Sequence, residues 1–210
     1  MCKNLNRDYW NELLSEHYPK LVEFTEFSFN KMKSCKELLL DDTVEVVIEP
    51  KTCANQVHDV FEAHARDYFN NIEGIVAGKL NGVFGILIKG KCFIRFNKLN
   101  DDYSISNAKT KQRDKFLNQT ELSLFDEEIT YLNLGYRVDS FWNEIEGIHL
   151  VYWNGCFEWE IDIKHQITKL EQSSFEYESN NFDRLQEKRR TIIKQTINKE
   201  EIKQNNIKSS

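Results

Sequence analysis

The residues from Ile145 to Ile163 constrain the fold most, because they carry the pattern of a β-hairpin. Beyond Asn154-Gly155, polar and apolar residues alternate strictly over 156–163, which is the period of a strand with one buried and one wetted face. Asn-Gly supplies the two positive-φ residues of a type I′ turn. We therefore expect an antiparallel hairpin with a two-residue turn. Its inward residues would be Phe157, Trp159, Ile161 and Ile163.

The chain before this hairpin opens with three amphipathic helices. Apolar residues recur at helical spacing over 9–14, over 21–39 and again over 53–71. Between the last two helices, a short strand over 44–48 ends at Glu49-Pro50. None of the three helices is apolar all round, so each must pack its apolar stripe on another surface.

That surface is predicted to be a sheet beginning near Gly74. The apolar run over 83–88 has no wetted face, which indicates a strand covered on two sides. Asn81-Gly82 and Lys89-Gly90 have the composition of two-residue turns. Strands are predicted over 75–80, 83–88, 92–96 and 131–138, with a helix over 110–118.

Helices first and strands afterwards, with hairpin-length connections, are typical of an α+β domain. With 210 residues, two prolines and eight glycines, the chain suits one core without a long flexible linker. We predict N-terminal helices (5–73) packed on an antiparallel β-meander (75–163), within a single domain over 1–180. Residues 181–210 would form a basic, helical C-terminal tail.

Several protein classes are disfavoured by what the sequence lacks. No apolar run approaches the roughly 20 residues needed to span a bilayer, and the first residues lack the apolar core of a signal peptide. The five cysteines are odd in number, far apart and without a Cys-x-x-Cys pair, which argues against a disulfide framework and a zinc knuckle. We expect a cytoplasmic protein with reduced thiols and no membrane partner.

Charge is distributed unevenly along the chain. The formal net charge is −6, yet residues 89–115 hold eight basic and three acidic residues, and residues 184–210 have the same balance. Basic segments on an acidic body attract polyanions, or dock on acidic surfaces of a partner or of the body itself.

The more informative candidate lies around 104–118 and overlaps the first basic segment. Ser106 or Asn107 can cap a helix whose first turns carry cations at the end where the helix dipole is already positive. Free amides and basic side chains at such a position favour an anion, whereas a solvated basic turn is the alternative. The candidate anion- or partner-binding residues are Arg95, Lys98, Asn107, Lys109, Lys111 and Arg113.

The basic tail is a second candidate surface. Apolar residues from Leu185 to Ile197 can share one face of a helix, with cations on either side. This helix could dock on a partner or on nucleic acid, or remain a solvated extension. The candidate residues are Lys188, Arg189, Arg190 and Lys194.

No catalytic or metal-binding signature stands out. His58 and His64 are six residues apart and do not form the His-Glu-x-x-His zinc arrangement. Glu158, Glu160 and Asp162 share one strand face, which resembles a site for a hard metal ion but is also typical of the wet side of a sheet. We therefore assign no catalytic residue, no metal ligand and no cofactor, and expect a binding protein rather than an enzyme.

A set of short motifs lies between Val83 and Ile163. They are Phe93-Ile-Arg-Phe-Asn-Lys-Leu, Ser106-Asn107, Thr110-Lys-Gln with Phe116 and Gln119, Ser123-Leu-Phe, Leu134-Gly-Tyr-Arg-Val-Asp, and Asn154-Gly155 with Trp159. In these motifs the chain resembles a group of uncharacterised bacterial proteins encoded beside helix-turn-helix regulators and ImmA/IrrE-type zinc peptidases. The resemblance implies a toxin–antitoxin, mobile-element or phage-defence setting. Because this chain lacks the peptidase's zinc motif, it would be the companion of that peptidase.

Three functions follow as hypotheses. The first is a non-enzymatic protein-binding and regulatory component of a toxin–antitoxin or phage-defence module, whose basic surface meets a peptidase or regulator encoded nearby. The second is a nucleic-acid-binding protein or metal-dependent nuclease-like effector that uses the face of Glu158, Glu160 and Asp162. A small-molecule or nucleotide sensor at the helix start near Asn107 is the third.

Overall fold

A computed structural model describes residues 6–39, 48–80, 82–105, 110–119 and 129–169. The predicted strand over 44–48 lies outside these ranges except for Ile48, and the basic tail lies wholly outside them. The chain divides into two units, residues 1–165 and 166–210. Of the second unit the structure describes residues 166–169, which are helical.

The first unit begins with three helices, as the sequence predicts. They are α1 (Arg7–Leu14), α2 (Tyr18–Leu39) and α3 (Pro50–Phe69), and a fourth helix, α4 (Lys111–Leu117), follows later. Pro50 stands at the first position of α3, where its missing N–H is not needed. Within the described ranges, no helix is both long and apolar enough to cross a bilayer.

The cap of α4 differs from the prediction. Thr110 is the N-cap, and its hydroxyl accepts a hydrogen bond from the Arg113 N–H at 3.1 Å. The proposed caps, Ser106 and Asn107, precede this position, so the helix begins later than a cap there would require.

Six strands form one sheet whose spatial order follows the sequence. The strands are β1 (Ile75–Leu80), β2 (Val83–Ile88), β3 (Cys92–Lys98), β4 (Thr130–Val138), β5 (Ile145–Trp153) and β6 (Phe157–Asp162). Helices at the N-terminus packed on this mostly antiparallel sheet confirm the predicted α+β class.

The pairing of β3 with β4 is parallel, with Ile94 opposite Leu132. The prediction of an antiparallel meander is therefore wrong at this pair, although the other four pairs are antiparallel. The connection over 99–129 contains α4 and is long enough for the crossover that a parallel pair needs.

The hairpin of β5 and β6 is confirmed, but its predicted two-residue turn is wrong. Three residues separate the paired Trp153 and Phe157, with the left-handed conformation at Gly155 (φ +78°). A register shift between Tyr152 and Trp153 accompanies this longer loop. Phe157 is consequently 41% exposed instead of buried, while Trp159, Ile161 and Ile163 are buried as predicted.

The connection from β2 to β3 departs from its predicted turn in the same way. Ile88 pairs with Cys92, so three residues intervene, and Gly90 takes the left-handed conformation (φ +69°). Between β1 and β2, Leu80 pairs with Val83 around a two-residue turn, as predicted. Glycine was therefore a reliable marker of turn position, but not of loop length.

Both faces of the sheet are covered near β2 and β3. On one face Phe61 of α3 stacks on Phe96 with ring centroids 4.0 Å apart. On the other face Phe93 packs with Phe116 of α4 and with Tyr131. This confirms the prediction that the apolar run of β2 is covered on two sides.

Candidate functional site

A cleft of about 890 Å³ opens at the C-terminal end of β3 and is called here the basic cleft. The first half of α3 lines one wall, Thr110 and Arg113 line another, and Tyr136 and Trp142 add aromatic surface. This volume is within the usual range for ligand sites in proteins. The lining residues are Pro50, Lys51, Ala54, Asn55, His58, Arg95, Phe96, Asn97, Lys98, Asn100, Ile105, Thr110, Arg113, Tyr136 and Trp142.

The cleft lies beside the end of β3, beyond the residues of β3 that pair with β2. The register between these strands ends at Gly85 and Arg95, and the first residues of β2 continue beside β1. The last three residues of β3, over 96–98, still pair with β4. After β3 the chain folds back, and Leu99 forms an isolated antiparallel bridge with Ile105, which also lines the cleft.

Four cations from three elements line the basic cleft: Lys51, Arg95, Lys98 and Arg113. Among the described lining residues there is no aspartate or glutamate, while three asparagines supply neutral donors and acceptors. A concavity lined by one sign of charge concentrates the opposite sign. The cleft is therefore suited to an anion.

Arg95 lies beside Phe116 of α4, the helix that also carries Arg113. The Arg95 guanidinium lies 5.9 Å from the centroid of the Phe116 ring. Arg113 Nε is enclosed and has no hydrogen-bond partner within the part of the chain that the structure describes. An enclosed donor without a partner costs about 1–3 kcal/mol, so an anionic acceptor here would be stabilising.

Lys98 lies over the ring of Trp142, with Nζ 5.6 Å from the ring centroid. Trp142 is buried and has φ +59°, a conformation uncommon for a bulky residue. Asp139 holds this loop: its carboxylate accepts the N–H groups of Glu144 and Asn143. These hydrogen bonds hold the pKa of Asp139 below its usual range. The carboxylate is therefore ionised near neutral pH and continues to accept the N–H groups of the loop.

Two titratable side chains in the cleft are held neutral near pH 7. Burial lowers the pKa of His58, with Arg95 and Lys79 adding to that effect and Glu62 and Asp59 opposing it. Burial also raises the pKa of Tyr136 well above its ordinary value, so its hydroxyl stays protonated. Both can hydrogen-bond to a guest without adding negative charge.

The structure brings together three of the candidate residues, Arg95, Lys98 and Arg113, around one cleft. Lys111 is exposed on α4 and does not line it. The remaining candidates lie outside the described residues. They are Asn107, Lys109, Lys188, Arg189, Arg190 and Lys194.

Other cations of the basic segment point elsewhere. Lys91 Nζ lies 2.9 Å from Glu16 Oε1 and also donates to the Leu13 carbonyl, so it joins the sheet to the N-terminal helices. Lys89 is exposed in the loop before β3. The number of cations in residues 89–115 is therefore larger than the number that line the cleft.

The contribution of α3 to this site was not predicted from the sequence. Lys51, Asn55 and His58 all line the cleft from one side of that helix. A signal was present, because spacings of four and three residues place polar side chains on one helical face. Trp142 gave no comparable signal, since its position depends on the loop after β4.

The acidic residues of β6 are engaged separately and do not form a cluster. Glu160 Oε2 lies 3.0 Å from His149 Nδ1, and Asp162 Oδ1 accepts the His165 N–H at 2.9 Å. Glu158 lies 3.7 Å from the thiol of Cys156. Within the described ranges, no group of three histidine, cysteine, aspartate or glutamate residues could hold a metal ion.

Comparison with known proteins yields no match among family models, curated proteins or solved structures. The chemistry of the basic cleft is consequently the best guide to what the protein does.

Proposed function

We propose that this protein is a non-enzymatic binding and regulatory component of a bacterial toxin–antitoxin or phage-defence module, and that its basic cleft holds an acidic segment of a protein partner. The observation that supports this most is the convergence of Lys51, Arg95, Lys98 and Arg113 on one cleft without a carboxylate among the described lining residues. The bacterial setting comes from the motif resemblance between Val83 and Ile163.

Carboxylates suit this set of donors. Arginine presents a planar fork of N–H groups that binds a carboxylate through two parallel hydrogen bonds, and lysine adds a point charge. Asn55 lines the cleft as well, and its exposed side-chain amide can donate to a further oxygen. In this proposal the partner is the zinc peptidase or helix-turn-helix regulator encoded nearby.

The test is a binding titration between this protein and the product of the neighbouring gene at 50 and 300 mM salt. Replacing Lys51 and Arg113 by glutamine should weaken binding at least tenfold and reduce its salt dependence. The matched control is a double glutamine variant of the exposed Lys89 and Lys111, which removes the same charge away from the cleft. Equal loss in both variants, or no binding by the unaltered protein, would contradict the proposal.

Nucleic-acid binding is the second candidate, favoured by the cations that lie over the rings of Phe116 and Trp142. Anisotropy of a labelled twelve-nucleotide single strand, measured as salt rises, tests it, because phosphate contacts give a steep loss of affinity. Absence of binding at 50 mM salt would eliminate this candidate. Its nuclease form would also need a metal site, which the described acidic residues do not form.

A further inference from the structure

A second concavity lies between α2 and α3 and has no described lining residue in common with the basic cleft. Its volume is about 320 Å³, at the lower end of the range for ligand sites in proteins. We call it the aromatic pocket, because four of its described lining residues are aromatic and the other two are acidic. They are Phe24, Phe27, His64 and Tyr68, with Glu23 and Asp67.

Helical spacing brings the four rings together. Phe24 and Phe27 are three residues apart on α2, and each turn of the helix returns such a pair to the same face. His64 and Tyr68 are related in the same way on α3, four residues apart. The rings of Phe27 and His64 are perpendicular with centroids 5.6 Å apart, and those of Phe24 and Tyr68 lie 4.7 Å apart. Phe24 is buried and Phe27 is 37% exposed, so the pocket extends from the helix interface to solvent.

Two lysines beside the pocket indicate which guests these rings attract. Lys20 Nζ lies 5.6 Å from the centroid of the Tyr68 ring, and Lys31 Nζ lies 5.7 Å from that of the Phe27 ring. The face of an aromatic ring is negative and attracts a cation within about 6 Å. Neither lysine is among the lining residues, so both leave the interior of the pocket to a guest.

The charged groups of the lining favour the same kind of guest. Glu23 Oε2 is paired with Lys20 Nζ at 3.0 Å. Asp67 is exposed, and its carboxylate forms no ion pair with the residues that the structure describes. No lysine or arginine is among the described lining residues. An unpaired negative charge therefore remains at the pocket, and a cationic guest would offset it.

The shortage of hydrogen-bond acceptors decides which cation suits the pocket. A primary ammonium group has three N–H donors and a guanidinium group has five, and each donor that is removed from water needs an acceptor. Ring faces supply few acceptors. A quaternary ammonium group has no N–H donor, and its methyl groups pack against rings while its positive charge is attracted to them.

We propose that the aromatic pocket binds a small quaternary ammonium compound. The rings of Phe27, His64 and Tyr68 enclose its trimethylammonium group, and the carboxylate of Asp67 offsets its charge. Aromatic enclosures recognise quaternary ammonium groups by this combination of packing and electrostatic attraction. The site is independent of the basic cleft and of the function proposed for that cleft, so each proposal can fail without the other.

The experiment compares two probes of nearly the same shape on the full-length protein. They are choline and dimethylbutanol, the neutral analogue in which a carbon atom replaces the charged nitrogen. NMR titration with labelled phenylalanine and histidine rings should show shifts at Phe27 and His64 on addition of choline. The dissociation constant of choline should be lower by at least about fivefold. Equal dissociation constants, or no shift of these two rings with choline, would overturn the proposal.

Matched variants separate the contribution of the ring from that of the charge. Phe27→Leu keeps an apolar side chain but removes the ring and should weaken choline binding, whereas Phe27→Tyr should retain it. Asp67→Asn should also weaken binding, and Asp59→Asn, which removes an exposed carboxylate elsewhere on α3, should not. Because these side chains are exposed, the variants should fold. Equal binding by Phe27→Leu and the unaltered protein, or equal losses in Asp67→Asn and Asp59→Asn, would contradict the proposed site.

Discussion

The two halves of β3 differ in their surroundings, although they belong to one strand. Residues 92–95, called here the covered half, lie between β2 and β4, and Cys92, Phe93 and Ile94 are fully enclosed. Residues 96–98, called here the open half, pair with β4 and line the basic cleft. The first half stabilises the sheet, whereas the second contributes its side chains to the lining of the cleft. The extent of pairing with β2 separates the two halves.

The largest effect is expected from Phe61→Ala. Phe61 is fully buried, stacks on Phe96 at the start of the open half, and also contacts Phe24 and Phe84. Truncation of such a ring costs about 3–5 kcal/mol of the free energy of unfolding. Urea denaturation followed by circular dichroism measures this cost. Phe141→Ala is the control, since Phe141 is 75% exposed and should change stability by less than about 0.5 kcal/mol. Similar costs at both positions would mean that α3 does not support the open half.

Three glycine-to-alanine substitutions compare the halves directly. At Gly85, beside the covered half, an added Cβ would overlap the Ile94 carbonyl and the Phe93 ring, and the carbonyl cannot move away cheaply. At Gly135, beside the open half, it would overlap the Leu99 side chain, which can partly adjust. Overpacking typically costs about 1–3 kcal/mol, and Gly85 should be nearer the upper end.

Gly78→Ala in β1 is the reference for this series, because an added Cβ there meets nothing within 4 Å. Urea denaturation should rank the loss of stability as Gly85 first, Gly135 second and Gly78 last. A larger loss at Gly135 than at Gly85 would indicate that the open half is the more rigid of the two.

Binding of a peptide with four consecutive glutamates to the basic cleft should strengthen as the pH falls from 7.5 to 6. A carboxylate near His58 favours the imidazolium and raises its pKa above the lowered value of the free protein, so the complex binds more protons. Affinity then rises by up to about tenfold for each unit by which binding raises that pKa. Isothermal titration calorimetry at several pH values tests this. His58→Gln should flatten the profile, and an unchanged profile would assign the effect to another group.

The smallest expected effect concerns stability without a ligand. Burial lowers the pKa of both His58 and His17 below the ordinary value near 6.5. As the pH falls below that value, the unfolded chain takes up protons that the folded protein does not, and stability decreases. Urea midpoints at pH 7.5 and 5.5 measure the decrease. It should be smaller in His58→Gln, and an equal decrease in that variant would exclude His58 as a contributor.

Local patterns predicted the strands well and their connections less well. The alternation over 156–163 located β6 because a strand with one wetted face repeats every two residues. The exposure of Phe157 escaped prediction because the register shift between Tyr152 and Trp153 is a property of pairing with β5. A turn motif such as Asn154-Gly155 likewise does not determine how many residues the loop contains.

The candidate site was predicted only in part for a similar reason. Arg95, Lys98 and Arg113 belong to one basic segment, so a charge count located them. Lys51, Asn55 and His58 lie on α3, about forty residues earlier than β3, and were not predicted to take part in the site. Their position next to β3 results from packing between segments that are distant in the chain. Such packing produces no periodic pattern in the sequence.

The sequence by itself determined the kinds of elements, their order and the position of one basic segment, because each depends on neighbours within a few residues. Only the tertiary structure decided that β4 runs parallel to β3, that β2 pairs with β3 as far as Arg95, and that α3 lines the cleft together with the end of β3. Long connections such as 99–129 allow either strand direction. Packing of the whole domain selects one, and the basic cleft is a result of that selection.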